Sequence, residues 1–357
     1  MELYIILSFI AIIFVIIVKD NRRENILFSS LLLLFLCFLC TFRDLECGRD
    51  TLNYYYIYET DPNNLFREPL YVLSMIASGD FRLFIALFSV STYFILIYVI
   101  CKYLKLSCLG VLIFMISANK FFPESFNIIR QTLAGCLIMY SFIVENNRNR
   151  NKAILIIAVA FCIHFSSLIA FPFLFLKKNI LLKPYTVITI LLISMLIGLS
   201  GIFNMLFITS LKALSFISGD LYNLIILKAL SYGEQVNKTN ITYNLSFIVP
   251  AILTCILSYP YSHKAKKQNR YFYNVFLLST LIGNLLIPSF PYGFRFIFSL
   301  SFIQIILIPN AYNLCSKQYK KYFWGLFVLL LIIHLHYLYN MPLNTQRGIV
   351  PYKSIFF

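Results

Sequence analysis

Apolar residues run along this chain in long blocks, separated by short polar connectors that recur at intervals suited to membrane crossings. Several blocks approach or exceed the ~18 apolar residues that indicate a membrane helix. Taken in order they predict twelve spans, near 3–18, 25–42, 81–101, 107–118, 124–144, 153–163, 165–176, 185–206, 243–260, 271–287, 294–310 and 322–338. The fourth, sixth and seventh fall below the ~20 residues that a straight crossing needs. They are expected as broken or re-entrant helices, tolerated only where protein or a water-filled cavity surrounds them. The opening stretch "LYIILSFIAIIFVIIVK" has no basic region ahead of it and no small-residue cleavage site after it, so it is expected to remain a span.

The expected fold class is therefore all-α: one polytopic membrane helical bundle over residues 1–357, with long outer loops at 43–80 and 207–242. Composition agrees, with 60% hydrophobic and only 12% charged residues, too little polar surface for a soluble domain of this length. In the second loop Leu211, Leu214, Ile217, Leu221, Leu224 and Ile225 recur at helical spacing, with Lys212 and Asp220 off that face. The pattern suits a helix lying in the membrane interface, as a lid or simply as a connector. Glycosylation-type patterns at Asn237, Asn240 and Asn244 carry no weight in so Asn-rich a chain.

The net charge of +16 suggests nucleic acid or anionic lipid until it is divided by side. Alternate connectors, "KDNRRE", "KYLK", "ENNRNRNK", "KKNILLK", "HKAKKQNR" and "KQYKK", hold 18 Lys/Arg and three acids, Asp20, Glu24 and Glu145. By the positive-inside rule these face the cytoplasm. The other eleven acids fall on the opposite side, with both termini. The basic excess is thus a topology signal, and a nucleic-acid partner is excluded. Seven of the nine cysteines lie in apolar runs as small hydrophobes, "CFLC" at Cys37–Cys40 lacks a second pair for a zinc site, and Cys47 has no expected disulfide partner. No metal and no cofactor is expected.

Two arginines remain inside the spans. Arg130 lies about six residues into a descending helix, roughly 9 Å below the outer surface. Arg295 begins the eleventh span at the same surface. An arginine inside an apolar helix costs roughly 2.5–3.5 kcal/mol on insertion scales. Arg43, Asp44, Arg49, Asp50, Glu68, His164 and Ser166–Ser167 are expected at the same outer face. Each has a plainer reading. Arg43 and Arg295 could snorkel as anchors, Arg130 could form a structural ion pair with Glu124 or Asp50, and the acids could simply be solvated. His334 and His336 read as interface residues. The tyrosines of "NYYYIY" at Asn53–Tyr58 suit either an interface anchor or a platform for a sugar ring.

Arginines at the outer edge of a bilayer suit a phosphate-bearing headgroup whose tail stays in the lipid, because the guanidinium holds phosphate oxygens in a fork. Carboxylates and a histidine nearby supply acid–base capacity. Walker loops, HExxH and GxSxG are absent from the sequence. The expected substrate is a lipid-linked phosphate compound.

The order "FRDLECGRDTLNYYYIY", "EPLYVL", "NIIRQTLAG", "HFSSLIAFP", "GFRF" and "IVPYKSIFF" resembles the EpsG-like, Wzy-type polysaccharide polymerases of bacteria, from Arg43 to the last residues. "GRD" at Gly48–Asp50 matches the family's Gly/Asp segment only loosely. The resemblance implies a metal-independent glycosyltransferase of the O-antigen or exopolysaccharide polymerase type in the bacterial inner membrane. Its partners would be an undecaprenyl-diphosphate-linked oligosaccharide and membrane lipid, with a polysaccharide chain-length regulator as a further candidate. Under that implication Arg130 and Arg295 form the diphosphate clamp with Arg43 helping. Glu68, His164, Asp44 or Asp50 supplies the base, Glu68 and His164 leading. Tyr54 and Tyr71 line the sugar path and Tyr352 closes it. The rivals are a flippase for the same lipid-linked units, an acyltransferase modifying an outer polysaccharide, and a purely structural membrane partner.

Overall fold

The computed structural model describes residues 2–18, 21–48, 50–63, 67–117, 120–176, 182–213, 241–264, 267–289, 293–344 and 352–355. The chain begins with α1 (Glu2–Ile17) and α2 (Arg22–Thr41). Asn21 caps α2 by accepting from the N–H groups of Arg23 and Glu24. The first long loop holds α3 (Thr51–Thr60) and α4 (Pro69–Ser78), the second opened by a proline whose missing N–H is harmless there. Asp80 then accepts from Arg82 and Leu83 and starts α5 (Phe81–Tyr103).

Next come α6 (Ser107–Ile116), α7 (Phe121–Asn127), α8 (Ile129–Asn146) and α9 (Arg150–Ile163), followed by a 3₁₀ helix (Phe165–Phe175). The remainder is α10 (Pro184–Leu199), α11 (Ile202–Ala213), α12 (Ile241–Lys264), α13 (Lys267–Ser289), α14 (Gly293–Ser301), α15 (Gln304–Leu314) and α16 (Lys317–Asn344). Among the described residues there is no sheet, and the one isolated bridge pairs Arg43 with Ser354.

Among the described residues five stretches are long and apolar enough to cross a membrane: Arg22–Thr41, Phe81–Tyr103, Asn244–Ser262, Arg270–Ser289 and Ile297–Leu314. Shorter apolar helices, among them Leu3–Ile17, Ser107–Ile116 and Pro184–Leu199, accompany them. Ile6, Phe9 and Ile13 of α1, Leu27 and Leu31 of α2, and Phe94 of α5 point outward, as side chains facing lipid do. The chain is a polytopic helical membrane protein.

The short predicted spans prove to be interrupted. Every residue of α6 and α7 is buried, and Lys120 between them adopts left-handed φ of 59°. The backbone is satisfied locally, Lys120 N–H donating to Ser117 and Ile128 N–H to Glu124. That is the condition for irregular chain at membrane depth. The predicted span 124–144 is split at Ile128 (φ −101°, ψ 58°), so Arg130 is the second residue of α8 and not six residues into a continuous helix. Another interruption falls at His164, in extended backbone between α9 and the 3₁₀ helix. With three residues per turn, that helix buries Ser167, Ala170 and Phe173 along one side and exposes Phe165, Leu168 and Phe171 along the other.

Helix α8 packs against α5, α9 and α14, which gathers the end of α9 and the starts of α8 and α14 at one end of the bundle. The segment Tyr352–Ile355 returns to the first loop, with Asp44 N–H donating to Lys353 and Ile355 N–H to Phe42. One expectation changes. His334 is 1% exposed, not an interface residue, whereas His336 is exposed. The amphipathic stripe from Leu214 onward lies outside the described residues. All nine cysteines are free thiols.

Candidate active site

A cavity of about 310 Å³ opens where these helix ends meet, lined by Asp50, Asn53, Tyr54 and Ile57 of the first loop, Ile128, Arg130 and Gln131 of the α8 start, His164 and Arg295. Both arginines occupy the first turn of a helix, where the exposed N–H groups already favour negative charge. A cation there works against its own helix, so these positions are not explained by helix stability. An anion in the cavity would meet two guanidinium groups and two positive helix ends together.

The start of α14 is set by Gly293. A Cβ at that position would lie 2.0 Å from the carbonyl oxygen of Leu286, so only glycine lets α14 begin this close to α13. The Gln131 amide then donates to the carbonyl of Arg295, tying the two helix starts to each other.

Glu68 organises the other side. Its Oε2 accepts from Arg130 Nη1 at 2.5 Å, and its Oε1 lies 3.1 Å from His164 Nδ1 and accepts from Phe165 N–H at 3.5 Å. Burial by itself would raise its pKa. The hydrogen bond from His164 and the charge of Arg130 outweigh that and hold the carboxyl down at about 2. An ionised carboxylate only accepts, so Nδ1 carries a proton toward Glu68, and Nε2 is the nitrogen left to face the cavity chemistry. The Arg130 guanidinium lies over the Tyr71 ring, 4.1 Å from its centroid, with Tyr54 at 5.6 Å.

Arg295 pairs with Asp50 at a looser 3.6 Å, both side chains partly exposed. Asp50 and Glu68 stand at the N-cap positions of α3 and α4, and neither makes a side-chain cap bond. Their carboxylates go to the cations of the site instead.

Of the residues singled out in the sequence, Asp50, Tyr54, Arg130, His164 and Arg295 line the cavity, and Glu68 lies immediately behind it. Arg130 takes Glu68 as its ion-pair partner rather than Glu124 or Asp50. Arg43, Asp44, Tyr71 and Tyr352 do not line the cavity, and neither do Ser166 and Ser167. Arg43 is 1% exposed and bonds to Cys40 and Thr51. Asp44 accepts from Glu46 N–H and fixes a turn. Tyr71 is buried beneath Arg130 and is not among the residues that line the cavity. Tyr352 donates to the Leu39 carbonyl and packs edge-on against Tyr4 and Phe126.

Asn53 and Gln131 were not singled out, although Gln131, a polar residue in an apolar helix next to Arg130, carried a usable signal. Arg49 lies outside the described residues. Among the described residues no three His, Cys, Asp or Glu side chains come together as a metal site would require.

The EpsG family model matches residues 26–354 of the chain. No curated protein and no solved structure matches it.

Proposed function

We propose, since this chain belongs to the EpsG family, that it is a membrane glycosyltransferase polymerising undecaprenyl-diphosphate-linked oligosaccharide repeat units of a bacterial surface polysaccharide. In this reading it sits in the inner membrane with the cavity on the outer face, opposite the connectors that hold 18 Lys/Arg. The observation that carries the proposal is the meeting of Arg130 and Arg295, each at a helix start, with His164 on a single cavity.

The chemistry follows from the positions. The growing glycan is bound through its lipid diphosphate, held by the forks of Arg130 and Arg295. A hydroxyl of the incoming lipid-linked unit gives its proton to His164 Nε2. Its oxygen forms a bond to the anomeric carbon of the growing chain, and the bond from that carbon to the diphosphate breaks, its electron pair leaving on the phosphate oxygen. Charge grows on the diphosphate as the bond breaks, where preorganised cations stabilise the transition state most. One displacement of this kind inverts the anomeric centre. Glu68 has one oxygen on Arg130 and the other on His164 and does not line the cavity, so it is not the group that takes the proton. It fixes the tautomer of His164 and the direction of Arg130, as the buried carboxylate of a catalytic triad orients its histidine. Tyr54 supplies a flat face beside the cations, and Asn53 and Gln131 offer hydrogen bonds to sugar hydroxyls.

Purified protein given synthetic undecaprenyl-diphosphate repeat units is expected to lengthen them without nucleotide sugar or added metal. Movement of the units across a liposome membrane without lengthening would instead identify a flippase. Single cysteines at positions 50 and 149 test the face: only the former should react with an impermeant reagent from outside.

A further inference from the structure

Arg43 is buried away from the cavity, and among the described residues no carboxylate pairs with it. Its Nη1 donates to the Cys40 carbonyl at 2.6 Å, its Nε donates to Thr51 Oγ1 at 3.3 Å, and its guanidinium lies 5.8 Å from the Phe126 ring centroid. A buried charge held only by neutral groups is costly, and an apolar side chain of similar volume would fill the space more cheaply. Its retention calls for a reason.

The reason lies at Thr51, the first residue of α3 and the neighbour of Asp50. An aspartate before a helix ordinarily turns its carboxylate onto the first free N–H groups. Asp50 makes no such bond and faces Arg295. The start of α3 is seated from behind instead: Arg43 holds the Thr51 hydroxyl, which donates to the Cys47 carbonyl at 2.9 Å. Gly48, at φ +101°, lets this turn press onto the α7 backbone, since a Cβ there would lie 2.9 Å from the Phe126 carbonyl oxygen.

Arg43 is itself strapped in place by the far end of the chain. Its backbone bridges to Ser354, Asp44 N–H donates to Lys353 at 2.9 Å, Ile355 N–H donates to Phe42 at 3.1 Å, and Lys353 pairs with Glu46.

We propose that Arg43 is a positioning residue: with the strap Tyr352–Ile355 behind it, it seats α3 through Thr51 and so leaves the Asp50 carboxylate to orient Arg295 in the cavity. The proposal rests on the cavity being the site of chain transfer.

A double-mutant cycle on the full chain in lipid nanodiscs, with a lipid-linked repeat unit as substrate, tests it. Thr51→Val keeps the shape and removes only the hydroxyl; Arg43→Lys keeps the charge and removes the fork. Each is expected to raise KM about tenfold while kcat changes less than about twofold, and adding Asp50→Asn to either is expected to bring no further rise. Deletion of residues 352–357 is expected to give the same KM change and to speed alkylation of the buried Cys47 thiol. The proposal is overturned if both single variants lower only Tm and the yield of folded protein with KM unchanged, or if their effects multiply with that of Asp50→Asn. In either case the cavity reading stands so long as Arg130→Lys still cuts chain growth. If Arg130→Lys and Asp50→Asn both leave chain growth intact, the cavity reading fails and this proposal with it.

Discussion

Glu68 holds Arg130 with one carboxylate oxygen and His164 with the other, at 2.5 Å and 3.1 Å. One buried acid thus sets both the cation expected to meet the leaving group and the ring expected to take the proton. The two functions are coupled through a residue that touches neither reacting atom.

That coupling separates the roles kinetically. His164→Gln is expected to lower kcat by about 10²- to 10⁴-fold, the usual contribution of a general base, with substrate affinity little changed. Glu68→Gln leaves Arg130 buried without its counter-charge and is expected to lower kcat and raise KM together. Steady-state chain-growth kinetics on both variants check the difference. Equal KM changes in the two would contradict it.

Arg130→Lys keeps a positive charge but gives up the fork and the broad stacking on Tyr71. Chain growth is expected to fall about 10²- to 10³-fold, the scale of losing one preorganised donor to a developing anion. Arg130→Ala is expected to abolish growth. A surface polysaccharide reduced from a ladder to a single repeat on a gel would report either outcome in cells.

Acid should weaken the fold through Glu68. Folding lowers this carboxyl from its ordinary value of 4.5 to about 2, so the unfolded chain binds more protons than the native one. Its stabilising contribution is complete above pH ~4.5 and is lost as pH falls from there toward 2. Thermal unfolding of the detergent-solubilised protein across that range is expected to show a decline that Glu68→Gln largely lacks. Parallel curves for the two proteins would refute the assignment.

Gly293 and Gly79 offer a matched pair. A methyl group at Gly293 meets the Leu286 carbonyl oxygen at 2.0 Å, so Gly293→Ala must push the α14 start and Arg295 out of place, with loss of both Tm and chain growth. At Gly79 the space is open and only the φ of +63° opposes a side chain, so Gly79→Ala is expected to cost about 1 kcal/mol of stability and leave activity intact. Comparing activity per folded molecule in the two variants checks this.

The apolar blocks made the membrane fold legible because hydropathy follows directly from the solvent a helix must face. Arg130, His164 and Arg295 were legible because a charge or imidazole in such a block demands a partner or a task. Glu68 as the partner of Arg130 was not, since sixty-two residues and several turns separate them and no spacing rule spans that distance. Tyr71, Tyr352 and Arg43 carried signals of chemistry that packing turned to support. An aromatic ring under a guanidinium or a cation behind a loop reads in sequence the same as one lining a cavity. The break at Ile128 was hidden too, because "FNIIRQ" contains neither proline nor glycine to announce it.

The 3₁₀ segment that follows His164 repeats every three residues, so Phe165, Leu168 and Phe171 stand one above another along its outer edge. An ordinary α-helix would fan those side chains around its axis. Here they make a straight apolar edge that begins at the residue after His164. On the proposed reading, a polyprenyl carrier could keep its tail in the bilayer and glide its headgroup sideways to the reaction centre, never having to leave the membrane to be used.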